Sequence, residues 1–289
     1  MEVSKQPPPF QYEQVAAALA AAPGVVIRQK TQSLEVLAQA FDIGYEAQNK
    51  YRVHLLPVDK RVKSHPDDPA GWAPTRDELK SLPPFLFAKE ESNLFVRMMC
   101  ANLRPLRMHI SVENSTGDVF LINRPFQCGG ACCCPMEMDV DAVAAGNMRR
   151  IGRVRENFAP YLCKCYSLCC LATGYTDMER ALPGGAFEKA YTLRANLACC
   201  GRVDNFCAPS ICKNDAVYDI LDPKGEIVAH LQVTFGGGDC CEACFRADNH
   251  YNNYILEFPP HASVDDRMLL LTALFQLEYQ FFERKTKEG

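Results

Sequence analysis

The sequence has one tryptophan, Trp72, in 289 residues, and no surplus of positive charge. Its 31 Lys and Arg stand against 35 Asp and Glu, for a net charge of −4. That balance excludes a general nucleic-acid binder, whose surface carries a basic excess. The opening MEVSKQPPPFQYEQ lacks the basic stretch and apolar run of a secretory signal, which points to a protein made and kept in the cytosol. A clean run of ~20 apolar residues, the length a membrane-spanning helix needs, is missing too. The stretch from Met268 to Phe282 comes nearest, but Gln276, Glu278 and Gln280 interrupt it. There is no G-x-S-x-G and no H-E-x-x-H, and Gly236-Gly237-Gly238 leads into Asp239 instead of the Lys-Ser/Thr of a phosphate loop. The chain therefore reads as a non-enzyme, and its 48% apolar and 23% charged residues make it globular.

Cysteine, by contrast, is abundant. Sixteen are present, and all but Cys100 are clustered: Cys128 and Cys132 to Cys134; Cys163, Cys165, Cys169 and Cys170; Cys199, Cys200, Cys207 and Cys212; Cys240, Cys241 and Cys244. Cytosolic thiols stay reduced. Their clustering in turn-rich stretches points to lipid attachment, metal binding or redox chemistry and not simply to core filling.

Residues 1–24 read as a mostly flexible leader with at most a short helix, ended by Pro23-Gly24. Residues 25–289 read as one β-rich domain. Within it, the Pro-rich, polar stretch 57–92 reads as a surface insertion. Two hairpins repeat: Met108 to Ile122 turning at Thr116-Gly117, and Ala216 to His230 turning at Pro223-Lys224-Gly225. Each is followed, fifteen residues after its glycine, by a cysteine pair, Cys132-Cys133 or Cys240-Cys241. Such a repeat implies two similar halves of one sheet system. The last element, helix 264–283, opens with the capping pair Ser263 and Asp266 and is apolar nearly all round, so it belongs in a core. A closed barrel threaded by that helix satisfies both, since closure removes sheet edges and the helix fills the lumen.

Several spaced strings resemble the phospholipid scramblase family, whose fold is similar to the Tubby C-terminal domain. They are Leu34-Glu35-Val36-Leu37 with Phe41, Asn49-Lys50-Tyr51, Arg104-Pro105-Leu106, Asn123-Arg124-Pro125-Phe126-Gln127-Cys128 leading into Cys132-Cys133-Cys134-Pro135, Ile151-Gly152-Arg153-Val154, Ala247-Asp248-Asn249 and Phe281-Phe282-Glu283. The resemblance runs from about residue 25 to 283, with breaks at 57–92 and near 172–190. It implies a mainly β fold, a twelve-stranded antiparallel barrel around a central C-terminal helix. It also implies calcium-stimulated, ATP-independent movement of phospholipids between leaflets, and a palmitoylated cysteine run at the cytoplasmic face of a membrane, the plasma membrane first.

The candidate sites follow from residue chemistry and from that resemblance. Cys132, Cys133 and Cys134, with Cys128, are lipidation candidates, adjacent thiols beside a Gly-Gly-Ala turn; a packed turn or metal knuckle is the alternative. Cys207, Cys212, Cys241 and Cys244 have spacings that could hold zinc. Arg149, Arg150, Arg153 and Arg155 place four guanidiniums in seven residues, suited to anionic lipid headgroups or to a solvated turn. Asp248, Asn249, Asn252 and Glu257 offer oxygens for calcium, weakly, because Arg246 stands where the family pattern has an acid. The expected partners are phospholipid membranes and their anionic headgroups. Two rival readings are a membrane-anchored lipid-binding adaptor that moves nothing and a zinc-stabilised interaction protein.

Overall fold

The computed structural model describes residues 10–29, 49–92, 104–113, 115, 117–126, 135–144, 146–158, 173–196, 215–234 and 253–282. Twelve antiparallel strands close into one barrel in the order β1-β12-β11-β10-β9-β8-β7-β6-β5-β4-β3-β2, so that each strand pairs with its neighbours in sequence and β12 closes on β1. The strands are β1 Gly24–Gln29, β2 Lys50–Leu55, β3 Leu86–Glu91, β4 Leu106–Val112, β5 Asp118–Arg124, β6 Glu137–Ala144, β7 Asn147–Glu156, β8 Thr173–Ala181, β9 Phe187–Asn196, β10 Asp215–Leu221, β11 Ile227–Thr234 and β12 Asn253–Glu257. Three helices accompany them: α1 Phe10–Ala21, α2 Arg76–Ser81 and α3 Val264–Leu277, the last continued by a π-turn Glu278–Phe282.

Alternation along the strands sets the lumen. Val25 and Ile27, Tyr51 and Val53, Leu86 and Ala88, Met108 and Ile110, and Phe120 and Ile122 point inward and are buried, as period-2 geometry requires. They surround α3, in which every residue from Asp266 to Leu277 is buried. The leucines, methionine and alanine of this helix combine high propensity with apolar side chains on all sides. Its start is fixed by a capping box: Ser263 Oγ accepts the Asp266 N–H at 3.2 Å, and Asp266 Oδ2 accepts the Ser263 N–H at 2.9 Å. Asp266 also receives Arg180 Nη2 of β8 at 2.9 Å, which ties the helix entrance to the wall. Because α3 begins beside Arg149 and Arg180 and its continuation ends beside Glu90 and Arg104, the barrel has an entry end and an exit end.

Both repeated hairpins form, β4–β5 and β10–β11, six strands apart, and each carries a register shift in its first strand. In the second turn, Asp222 Oδ1 accepts the N–H groups of Lys224 and Glu226 at 2.8 and 2.9 Å, and Gly225 takes φ +88°, a conformation that favours glycine. Gly152, in the Ile151-Gly152-Arg153-Val154 string, is required for a different reason. A Cβ there would lie 2.1 Å from the Glu179 carbonyl oxygen of β8, so only glycine lets the two strands meet.

Three sequence expectations change. The leader 1–24 contains α1, whose Val15 and Leu19 are buried against the core. Arg267 of α3, itself buried, donates to the Leu19 and Ala22 carbonyls, the groups that a helix C-terminus leaves without intrahelical partners. Docking a short helix needs only one apolar stripe, which an Ala-rich run hides. The insertion 57–92 ends in a barrel strand, β3, and the rest is packed onto the wall. Val62 and Leu79 cover Val26 and Ile255 on the outer face, Gln232 Nε2 donates to the Trp72 carbonyl at 2.9 Å, and Lys63 pairs with Asp215. Prolines and charges made this stretch look like free loop, although its apolar residues face inward. The break near 172–190 is likewise occupied by the β8–β9 hairpin, in which Met178 and Leu193 face the core while Asp177, Glu179 and Lys189 face out.

The filled lumen is tested by Leu270→Asp. Leu270 is 2% exposed, so the substitution places an unpaired charge in the core. It is expected to cost several kcal/mol, enough to unfold a marginal domain. Urea denaturation followed by circular dichroism checks it, and a cooperatively folded variant of unchanged midpoint would contradict the packing.

Candidate functional site

Charge inside the barrel is concentrated at the exit end. Inward parity in β3 runs Leu86, Ala88, Glu90; in β4 it starts at Arg104, just before Pro105, and continues through Leu106 and Met108; in β5 it runs Phe120, Ile122, Arg124. Three charged residues on neighbouring strands are thereby turned into the lumen. Arg104 meets Glu90 in a two-pronged pair, Nε to Oε1 at 2.9 Å and Nη2 to Oε2 at 3.1 Å. Glu90 Oε2 also accepts Asn49 Nδ2 at 2.9 Å and the Tyr279 hydroxyl at 3.0 Å. Arg124 donates from Nε and Nη2 to the Arg104 carbonyl at 3.0 and 2.7 Å. Both guanidiniums lie against the Tyr279 ring, 5.4 Å and 4.8 Å from its centroid, a cation–π arrangement. Burial pushes the Glu90 carboxyl up, but the Arg104 hydrogen bonds and charge outweigh it and hold the group below the usual carboxylate range. This cluster fastens the end of α3 to β3, β4 and β5. It joins three of the strings noted in the sequence, Asn49-Lys50-Tyr51, Arg104-Pro105-Leu106 and Asn123-Arg124-Pro125. Sequence reading did not single out Glu90, Arg104, Arg124 and Tyr279 as one group, but a charged residue at an inward strand position was the available signal.

The four arginines proposed for headgroups lie on β7, and each faces carboxylates of the same fold. Arg149 is paired with Asp265 through 2.8 and 2.9 Å bonds, and Arg150 with Asp139 and Asp141 at 2.8 and 2.7 Å. Arg153 pairs with Glu179 and stacks 4.1 Å over the Phe187 ring, and Arg155 lies 3.4 Å from Glu137. Hydrogen bonding to Asp265 raises the Arg149 pKa beyond its ordinary value. The bulge that sets Val140 opposite Gly152 and Asp141 opposite Arg150 skips Ile151, and so keeps Arg150 and Arg153 on the outer face together. The cluster is therefore a cross-strand ion-pair ladder over β6, β7 and β8.

The remaining candidates divide differently. Cys128, Cys132, Cys133, Cys134, Cys207, Cys212, Cys241 and Cys244 lie outside the described residues, as do Asp248, Asn249 and Asn252. Glu257 is described, at the entry end of β12, opposite Gly24. At ~3.3 Å per residue it stands ~13 Å along the strand from Asn253. Its Oε2 accepts the His230 N–H at 3.2 Å, and burial raises its pKa. Among the described residues no cluster of His, Cys, Asp and Glu is arranged to hold a metal ion, and no helix is long and apolar enough to cross a membrane.

On the outer face, His109 of β4 lies between two carboxylates, Nδ1 2.7 Å from Asp118 and Nε2 2.8 Å from Glu91. The hydrogen bond to Asp118 raises its pKa most, partial burial opposes this, and Glu91 adds to the rise. Its folded pKa therefore exceeds the unfolded value of about 6.5. The stability it contributes is fully present below that value and is lost as pH rises through the folded pKa. Wild type is expected to lose stability above neutral pH more steeply than His109→Gln, as read from urea midpoints between pH 6 and 9.

The buried cluster gives a second test. Arg104→Met leaves Glu90 charged and unpaired and is expected to cost about 3–5 kcal/mol, whereas Arg104→Met with Glu90→Gln recovers part of the loss. Equal denaturation midpoints for the single and double variants would show that the two groups do not interact.

The sequence was also compared with known proteins. The family model described as Scramblase matches residues 80–172, from the approach to β3 through the stretch after β7. Human phospholipid scramblase 2 (Homo sapiens) is 24% identical over 198 residues, which cover 68% of this chain and 56% of that protein. Mouse phospholipid scramblase 1 (Mus musculus) is 23% identical over 284 residues, 98% of this chain and 68% of that protein. Human phospholipid scramblase family member 5 is 35% identical over 78 residues, 27% of this chain and 28% of that protein. The chain thus spans little more than half the length of the human scramblase 2 it matches. No solved structure matches it. The family match falls on the strands that build the exit-end cluster, and the relatives that resemble this chain are phospholipid scramblases.

Proposed function

We propose that this protein is a phospholipid scramblase-like protein that acts on lipid distribution between the leaflets of a membrane without ATP. The observation that carries the reading is the match of residues 80–172 to the scramblase family. It is supported by the spaced strings on either side of that match. The protein works at the cytoplasmic face, the plasma membrane being the first candidate. It is held there by acyl chains on Cys128, Cys132, Cys133 and Cys134. Lipid movement needs no covalent catalysis, only a lower barrier for a polar headgroup crossing hydrocarbon.

The geometry restricts how this is done. Because α3 fills the lumen, a headgroup does not travel through the barrel. The lipid path lies outside it, between the barrel surface and the bilayer. The β7 arginines reach anionic headgroups only by giving up carboxylate partners, so they contribute to binding less than four free guanidiniums would. Calcium acts weakly, since Glu257 is tied into β12 and Arg246 brings positive charge to the preceding stretch; binding no tighter than roughly millimolar is the expectation. Zinc on Cys207, Cys212, Cys241 and Cys244 remains a separate proposal, answered by elemental analysis of the purified protein.

The filled lumen also favours a second reading, a membrane-anchored adaptor that binds anionic lipid and moves nothing. Reconstitution of the full chain into liposomes carrying a fluorescent lipid separates the two. A scramblase is expected to expose inner-leaflet probe to an impermeant quencher without ATP, at a rate unchanged by micromolar calcium. Binding of the liposomes with no exposure of the inner probe would establish the adaptor.

A further inference from the structure

The strand alternation that turns Glu90, Arg104 and Arg124 into the lumen turns other charges out. On β2, β3 and β4 the outward positions include Lys50 and Arg52; Phe87, Lys89 and Glu91; and Arg107, His109 and Ser111. Register sets Lys50 directly opposite Lys89, Lys89 opposite His109, and Glu91 opposite Arg107. The carboxylates of this face are already engaged. Glu113 pairs with Arg52 at 3.0 Å, and His109 holds both Asp118 and Glu91, at 2.7 and 2.8 Å. The His109 hydrogen bond keeps the Glu91 carboxyl below the usual range, and the charges of Arg107 and Lys89 add to that effect. Among the described residues, however, Lys50, Lys89 and Arg107 have no carboxylate within ion-pair distance. Arg107 donates instead to the neutral Asn123 Oδ1, at 3.0 Å.

This arrangement is costly for a protein on its own. The Cβ atoms of directly opposite residues are about 5 Å apart, and like charges so placed are destabilising. Arg107 lies diagonal to Lys89, about 7 Å away at Cβ. Three long cations on three neighbouring strands thus converge on one patch, with Phe87 partly exposed beside it. The arginines of β7 are more numerous, but each is held by a carboxylate. The wall under the patch is the outside of a closed barrel, so the three cations stand on a convex surface and not around a cavity. A small anion on such a surface is gripped from one side only, whereas a charged bilayer presents many phosphates at once.

We infer that the outer face of β2, β3 and β4, through Lys50, Lys89 and Arg107, is the surface by which this barrel lies side-on against the anionic headgroups of a bilayer. The inference deepens the membrane reading above, by naming the wall that meets the lipid, and rests on it. Phosphate oxygens of anionic phospholipids supply the negative charge that the fold leaves out, and the contact relieves the Lys50–Lys89 repulsion as it forms. All three cations stand toward the exit end of their strands, the end at which β5 passes the chain to the segment of Cys128 to Cys134. An acyl chain holds a protein firmly only in company with a second chain or a basic patch. The patch supplies that second signal and, with it, a direction. The β2–β4 wall faces the membrane, and β9, six strands round the barrel from β3, faces away.

The test uses the full chain, purified without acyl groups, and vesicles of phosphatidylcholine with or without phosphatidylserine. Wild type is expected to sediment with the phosphatidylserine vesicles, less so as salt rises, and hardly at all with phosphatidylcholine alone. At roughly fivefold in affinity per cation near an anionic surface, Lys50→Gln with Lys89→Gln and Arg107→Gln is expected to bind on the order of a hundredfold more weakly. A control of equal charge change, Lys60→Gln with Lys80→Gln and Lys224→Gln, is expected to bind much as wild type does. Amine acetylation read by peptide mapping reports the orientation of wild type: vesicles are expected to shield Lys50 and Lys89 and to leave Lys189 and Lys224 reactive. Folding gives an independent reading, since Lys50→Gln is expected to raise the urea midpoint at low salt and to lose that gain at high salt. Equal loss of binding in the two triple variants, shielding of Lys189 or Lys224 in place of Lys50 and Lys89, displacement from vesicles by an equal concentration of free glycerophosphoserine, or a Lys50→Gln midpoint below that of wild type would each overturn the inference. Wild type that moves lipid, with the first triple variant binding vesicles unimpaired, would keep the proposed function and remove this inference. Loss of binding in that variant alone, in a protein that moves no lipid, would do the reverse.

Discussion

Burial of α3 inside the closed sheet is the constraint on which the rest depends. A twelve-stranded barrel has a lumen too wide to be filled by its own side chains if they are ordinary in size, and an empty apolar lumen forfeits dispersion contacts along its whole length. A helix apolar on every side has the complementary problem, since no single face of a sheet covers it. Each solves the other. The wall shows the consequences: inward positions are aliphatic or aromatic along the middle of the strands, and charge enters the lumen only where α3 begins and ends. At the entrance Arg180 meets Asp266; at the exit Arg104 and Arg124 meet Glu90 and Tyr279.

These two polar closures differ in kind. Arg180 is 39% exposed, so its pair with Asp266 is partly screened and adds modestly to a capping box that already orders the helix start. The Arg104–Glu90 pair is almost fully withdrawn from water, and desolvating two charges costs several kcal/mol per ion before their attraction is counted. A pair like this adds little net stability. What it does is present the helix end with a fixed polar partner, because a slip of one turn would take the Tyr279 hydroxyl from Glu90 and its ring from both guanidiniums. The Tyr279 hydroxyl and ring fix the same register from the helix side. The buried cluster is thus best understood as specifying where α3 stops.

The surface follows a separate logic. Charged side chains on β6, β7 and β8 alternate in sign across the strands and neutralise one another, which keeps a long outer face soluble without a basic field. The functional weight then moves to the ends, and the ends are unequal. The entry end carries four short turns and the packed stretch 56–85 between β2 and β3; the exit end carries the charged cluster around Tyr279. Scaffolds commonly hold variable, chemically active loops at one end of a regular core. A barrel whose lumen is closed by a helix has no other place to meet a membrane than its outside surface.

Much of this architecture was legible in the residues themselves. The helix, its capping pair, the two hairpins and the closed barrel follow from hydrophobic period and turn chemistry, which are local properties. The clustering of cysteine was equally plain. What the sequence did not determine by itself depended on parity and register. Glu90, Arg104 and Arg124 look like ordinary surface charges until strand alternation turns them inward, and they meet only because β3, β4 and β5 are neighbours. Arg149, Arg150, Arg153 and Arg155 looked like a free basic patch, and became an ion-pair ladder because Asp139, Asp141, Glu179 and Asp265 arrive from other elements. Glu257 lies four residues from Asn253 in sequence, and the rise of an extended strand sets the two ~13 Å apart. The stretch 57–92 read as a surface insertion, because the few apolar residues before β3 have no period until the outer face of β1 and β12 gives them a surface to cover. Sequence spacing fixes distance along one strand; only closure of the sheet decides which strands' ends share a pole and which side chains share a lumen.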